Sequence, residues 1–277
     1  MPNPPSANPP ENDDELDSLV HRPAKLSWKR RIRIAFALLI VVVVIGDFVL
    51  RLFKPIPHIP DLLAPAIPAN CRQVVLVLSP QAQSVPARLW MLERESADDE
   101  WHAVAGPIDV NLGRNGLGWG EGEHQMPQPT GFPIKHEGDG RSPAGVFRIP
   151  FAFGYAPASE ATNVRLPYIP VTETLAGVDD VNSKYYNQVV DASTVTKDWD
   201  SNETMLRPDG LYHWGAFIAH NPGCEPGRGS CIFFHLWSGP GQPTAGCTAM
   251  AEENVVKLLS WLDPAKEPRL VQGLKEW

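Results

Sequence analysis

Two residues of reactive type, His235 and Cys247, stand close together in the chain. His235 ends a short apolar run, 231–234, that reads as a buried strand. Gly239, Pro240, Gly241 and Pro243 then turn the chain back to Thr244-Ala-Gly-Cys247. An imidazole on a strand and a thiol on the returning turn suit nucleophilic chemistry. The thiolate attacks; the imidazole takes its proton and later passes it to the leaving group. Gly246 lets backbone approach a substrate carbonyl closely, and N–H groups around Thr244 and Gly246 would supply an oxyanion hole. A plainer reading of the same residue types makes Cys247 a small buried apolar group. His220 and Asn221, which close a second apolar run at 212–220, offer an alternative base or a substrate-binding pair. Zinc would use Cys231, His235, Cys247 and His220, but their spacing matches no common zinc pattern, so no metal ligand is assigned.

Several elements must hold these groups. The spacing predicts strands over 73–78, 87–93, 101–105 and 146–149, and a closing strand over 269–272. A helix over 251–262 places Val255, Leu258, Leu259 and Leu262 on one face, with Glu252 and Glu253 at its start and Asp263-Pro264 as its stop. Cys247 lies just upstream of that helix, where its dipole would favour a thiolate. The loop Gly113-Arg-Asn-Gly-Leu-Gly-Trp-Gly120 is a turn rather than a phosphate cradle, since neither a Lys-Ser/Thr pair nor a helix follows. Residues 151–210, rich in Asn, Asp and Pro, carry no clear period; Asp191-Ala-Ser193 and Trp199-Asp-Ser201 are candidates for a cap over the site.

The segment Gly229-Ser-Cys-Ile-Phe-Phe-His235 with Pro243-Thr-Ala-Gly-Cys-Thr-Ala-Met250 resembles the catalytic segment of the L,D-transpeptidase (YkuD-type) family. Upstream, Lys135-His-Glu-Gly-Asp-Gly-Arg-Ser-Pro-Ala-Gly-Val-Phe147 resembles that family's Gly-Asp-x-x-[Thr/Ser]-Pro-x-Gly-x-[Phe/Tyr] block. The similarity extends over 72–277. It implies a mainly β domain, a mixed β-sheet sandwich or barrel with few helices, and an enzyme that works without a cofactor. It further implies that Cys247 forms a thioester with a peptidoglycan tetrapeptide stem, releasing the terminal D-Ala, with His235 as general base and acid and Gly246 in the oxyanion region. An amine then resolves the thioester; water would make the enzyme a carboxypeptidase instead, and a non-catalytic wall-binding protein on the same fold is the reading from another class. The upstream block, with Lys135, Asp139 and Arg141, is implied to lie near the site in substrate binding or loop structure. The family's usual [Ser/Thr]-His-Gly-Cys-[Ile/Val]-Arg is here Thr244-Ala-Gly-Cys-Thr-Ala249, without the second histidine or the arginine that would meet a stem carboxylate.

The 277 residues divide into four parts on composition. Residues 1–31 are polar and read as a disordered cytoplasmic tail. Residues 32–53 are apolar enough for a helix to cross a hydrocarbon core of about 30 Å, with the basic flank of Lys25, Lys29, Arg30, Arg31 and Arg33 keeping the N-terminus inside. A signal anchor is expected there, the competing reading being a cleaved signal peptide. Residues 54–70, with five prolines (55, 57, 60, 65 and 68), read as an extended spacer, and 71–277 as the catalytic domain, outside the cytoplasmic membrane. In that oxidising compartment Cys224 and Cys231 could bridge a Gly/Pro-rich turn while Cys247 stays free. The net charge of −8 excludes a general nucleic-acid-binding surface.

Overall fold

The computed structural model describes residues 57–277, together with helical positions at 28–29, 32–33, 35–37 and 39–40. Most of the expected tail and of the expected anchor lies outside the described residues, and among those described no helix is long and apolar enough to cross a membrane.

Fourteen strands follow in chain order: β1 Gln73–Ser79, β2 Pro86–Glu93, β3 His102–Asn111, β4 Leu117–Trp119, β5 Ser142–Arg148, β6 Ala152–Gly154, β7 Tyr168–Pro170, β8 Leu175–Val178, β9 Gln188–Asp191, β10 Asn202–Thr204, β11 Trp214–Phe217, β12 Phe233–Leu236, β13 Thr248–Met250 and β14 Arg269–Leu274. Between β13 and β14 stands an α-helix, α1 Glu252–Trp261. Eleven strands make one mixed sheet in the order β4-β5-β14-β1-β2-β3-β13-β12-β11-β6-β7, and β10-β8-β9 form a second, small sheet. The expectation of a mainly β domain with few helices holds.

The core starts from β1. Its continuous run of Val and Leu is buried on both faces, as a strand flanked by β2 and β14 requires. β2 shows the alternation of a strand with one wet face: Ala87 and Leu89 point inward, while exposed Arg88 meets Asp109 of β3 at 2.6 Å. β3 outruns its expected end at 105 because Gly106-Pro107 interrupts the hydrophobic pattern without ending the pairing, and β2 answers with register shifts around Trp90. β14 is no closing edge. It lies between β5 and β1, parallel to the latter, a placement that no local pattern encodes. Helix α1 buries Val255, Leu258 and Leu259 against this core as its spacing demands.

The stretch expected to be a spacer is partly domain. Leu63 is fully buried in the main core, Ile59 nearly so, and the Asp61 N–H donates to the Trp277 carbonyl. Its prolines favour extended chain, but these apolar side chains gain more by burial than by standing in water.

The small sheet is the main departure from what could be read locally. It belongs to the insertion between β7 and β11 and is tied down by buried polar groups. Asn187 donates to the carbonyls of His220 and Asn221, both at 2.8 Å, and accepts the Cys231 N–H at 2.9 Å. The Tyr186 hydroxyl reaches the Glu137 carboxylate at 2.5 Å and accepts the Gly229 N–H. The insertion is thereby fixed to the segment that leads into β12.

Candidate active site

The thiol and imidazole are brought together by three adjoining strands. β12 pairs antiparallel with β11, Gly215 opposite His235, and parallel with β13, His235 opposite Ala249. β12 begins at Phe233, after Cys231 at a left-handed φ of 50°, and continues to Leu236, so His235 is inside the strand rather than at its end. Cys247 immediately precedes β13 and accepts the Phe233 N–H on its Sγ at 3.3 Å. Alternate residues of neighbouring strands share a face, and His235, Cys247 and Ala249 line one pocket of about 180 Å³.

Within it, the His235 Nδ1–H donates to its neighbour's carbonyl, Leu236 O, at 2.7 Å. That bond selects the tautomer and leaves Nε2 as the basic nitrogen. Burial pulls His235 down to about 4. Burial pushes the Cys247 thiol up to about 12, and the nearby Glu203 carboxylate adds to the rise while the Phe233 N–H opposes it. The resting pair is therefore a neutral thiol and a neutral imidazole. The expected help from a helix dipole is not there, since β13 intervenes between Cys247 and the start of α1.

Gly246 serves a different close approach from the one expected. A Cβ at this position would come to 3.0 Å from the Arg141 carbonyl oxygen, so the missing side chain lets the turn that carries Cys247 pack on the upstream block. The Gly246 N–H is already donated to Thr244 Oγ1 at 3.1 Å and is not a free oxyanion donor. Thr244 Oγ1 in turn donates to the Cys247 carbonyl at 2.6 Å, and the Ser142 hydroxyl donates to the same carbonyl at 3.0 Å. Two hydroxyls thus hold the backbone of the thiol residue. Ser142 escaped the sequence reading, although it occupies the [Thr/Ser] position of the upstream block.

The remaining candidates are built into loops and do not line the pocket. Both nitrogens of His220 are committed to backbone: Nδ1 accepts the Glu121 N–H, and Nε2–H donates to Arg228 O at 2.9 Å. Asn221 exchanges bonds with Glu225 and donates to Gly229 O. Arg141 donates to the carbonyls of Asn115 and Leu117. Lys135, its side chain only 3% exposed, meets Asp139 at 2.7 Å, and the same carboxylate accepts the His136 and Arg141 N–H groups. The four groups weighed for zinc do not converge, since Cys231 turns its sulfur toward Val178 O and His220 is engaged as above. All four cysteines are free, Cys224 and Cys231 included.

These loops have two measurable consequences. Asp139→Asn leaves the Lys135 ammonium buried without its counter-ion and lowers stability by about 3 kcal/mol, read as a shift in the urea midpoint at unchanged slope. His220 is also held down to about 4 by burial. Because His220 and His235 both titrate lower folded than their ordinary 6.5, the stability they contribute is whole above about pH 6.5 and is lost as the pH falls toward 4. Melting curves should show Tm dropping between pH 6.5 and 4.5; a Tm constant over that interval would contradict the burial argument.

Residues 86–271 match the family profile described as the L,D-transpeptidase catalytic domain (YkuD). The chain belongs to that family. No curated protein and no solved structure matches it significantly. The match covers the upstream block, the insertion and the catalytic segment of this L,D-transpeptidase-type domain; β1, though central to the sheet, precedes the matched residues.

Set against the family's usual signature, the pocket contains a cation that no motif announced. Arg207 lines it with Glu203 and Tyr212, all three from the insertion and its exit. The guanidinium grips Asp209 at 2.9 and 2.6 Å, stands 3.6 Å from Glu203 and lies over the Tyr212 ring. Arg207, from another part of the chain, thus lines the same pocket as Ala249, where the family's usual signature has an arginine. The Asp191–Ser193 and Trp199–Ser201 stretches expected as a cap supply none of the lining; Trp199 packs within the small sheet on Ala176 and Val178. The alternating charges at 203, 207 and 209 are the only local signal that could have pointed here.

Proposed function

We propose that this domain is a cysteine acyltransferase that acts on peptidoglycan stem peptides, outside the cytoplasmic membrane, as an L,D-transpeptidase. The observation that carries the reading is the shared pocket of Cys247 and His235, with Nδ1–H donated to Leu236 O so that Nε2 is left as the basic nitrogen. Cys247 Sγ attacks the carbonyl carbon of the stem's third residue while its proton passes to His235 Nε2. The tetrahedral oxyanion is received by backbone; among the described residues the Cys247 N–H has no partner, whereas the Gly246 N–H is taken. As the C–N bond breaks, the imidazolium protonates the leaving D-Ala nitrogen and a thioester remains. An incoming amine gives its proton to the same nitrogen, forms the new amide and expels the thiolate, which is reprotonated.

A thiol as high as about 12 favours a second reading, a wall-binding protein without catalysis. The two readings separate in one experiment. The full-length protein is incubated with a tetrapeptide stem and its intact mass measured with time. Acyl transfer requires a mass gain equal to the stem less D-Ala, decaying to product faster when an amine is added. A folded protein that binds the stem and never gains that mass is a binding protein, and decay indifferent to amines makes it a carboxypeptidase.

A further inference from the structure

The pocket beside the thiol holds an acid whose natural partner is engaged elsewhere. Glu203 lines the same pocket as Cys247 and His235. Its side chain is about two-thirds buried, and its contacts there are a long hydrogen bond from the Tyr212 hydroxyl, 3.3 Å, and Arg207 at 3.6 Å. Arg207 makes its short, two-pronged contact with Asp209 instead. Two carboxylates therefore share one guanidinium, and a negative charge is left over at the pocket wall. Burial raises Glu203 above its ordinary value, and the nearby Asp179 and Glu137 add to the rise while Arg207 opposes it. The same carboxylate also disfavours the Cys247 thiolate, a cost that an acid without a ligand would impose on the enzyme for nothing.

We propose that Glu203 is a specificity residue that receives a primary ammonium group of the substrate beside the reacting carbonyl. The inference rests on the acyl-transfer reading and deepens it. An ammonium supplies three N–H donors to an acceptor-only carboxylate, neutralises the surplus charge, and removes the field that opposes thiolate formation. Such a group can come from the side chain of a diamino acid at the attacked position, or from the amine that resolves the thioester, which binds as its ammonium and passes one proton to the Glu203 carboxylate before its nitrogen attacks. Each source places a cation in the pocket that Glu203 and Cys247 both line.

The test compares the full-length wild type with Glu203→Gln, and with Glu203→Asp, which keeps the charge on a shorter arm. Donor stems carry lysine or norleucine at the third position, and acylation is followed by intact mass. For the acceptor arm, the partition of the acyl-enzyme between glycinamide and water is measured. If the ammonium is the donor's, the wild type acylates from the lysine stem about tenfold faster than from the norleucine stem, and Glu203→Gln brings that ratio near unity. If it is the acceptor's, the donor ratio is unchanged and Glu203→Gln lowers aminolysis relative to hydrolysis about tenfold. In both cases Glu203→Asp retains part of the preference. A folded Glu203→Gln that acylates yet leaves both ratios at wild-type values overturns the proposal while acyl transfer stands. A wild type that acylates from neither stem fails the acyl-transfer reading itself, and the proposal with it.

Discussion

Replacing Cys247 by alanine abolishes the acyl adduct and lowers acyl transfer by about 10⁴-fold or more, because no other group in the pocket can form the thioester. The fold tolerates the change at modest cost. Cys247 sits among Phe233, Tyr212 and Met205 in an apolar cluster, where loss of one sulfur leaves a small void. The Phe233 N–H also loses its acceptor, a penalty of about 1–3 kcal/mol for a buried donor. Cys247→Ser separates the two effects: its hydroxyl restores an acceptor near that N–H while removing the thiol. Thermal melts should place the serine variant above the alanine variant, and mass spectrometry should find a thioester on neither. An adduct that survives in Cys247→Ala would move the nucleophile elsewhere, with Cys231 the first residue to examine.

His235→Gln slows acylation by about 10²- to 10⁴-fold and changes its dependence on pH. The wild-type base is neutral above about 4, so its rate rises through that pH and is flat across the neutral range. Glutamine can keep the hydrogen bond to Leu236 O but cannot take a proton. Thiolate must then come from solvent, and with the thiol at about 12 the rate climbs roughly tenfold per pH unit through the alkaline range. A His235→Gln enzyme with the wild-type rate and a flat profile would remove the imidazole from the mechanism. His220 offers no substitute, since both its nitrogens are bonded to backbone.

The elements legible in the chain were those whose burial is periodic and local. β1 is apolar throughout, β2 alternates, and α1 shows Val255, Leu258 and Leu259 on one face; each pattern reports the surface it covers. The thiol and imidazole were legible because they share one short segment with an unusual composition. Of the glycines of 113–120, Gly113 and Gly116 flank a tight turn, Gly116 with φ of 73° where a Cβ would strike Ala82 O at 2.1 Å, whereas Gly118 lies within β4 and the expected loop ends there.

Residue types alone could not say which way side chains face. His220 and His235 both close apolar runs, yet the fold gives one a free Nε2 in a pocket and locks the other between two loops. Lys135, Asp139 and Arg141 look equally available and are spent on holding their own block, whose link to the thiol is Ser142.

The chain's order thus sufficed for the family and the mainly β class, since both rest on motifs and periods contained in contiguous stretches. Long-range pairing settled the rest. β14 enters the middle of the sheet, and an insertion of short, irregular strands carries Glu203 and Arg207 to the thiol. Their positions depend on hydrogen bonds and packing between residues far apart in sequence, and such contacts leave no trace in a local pattern.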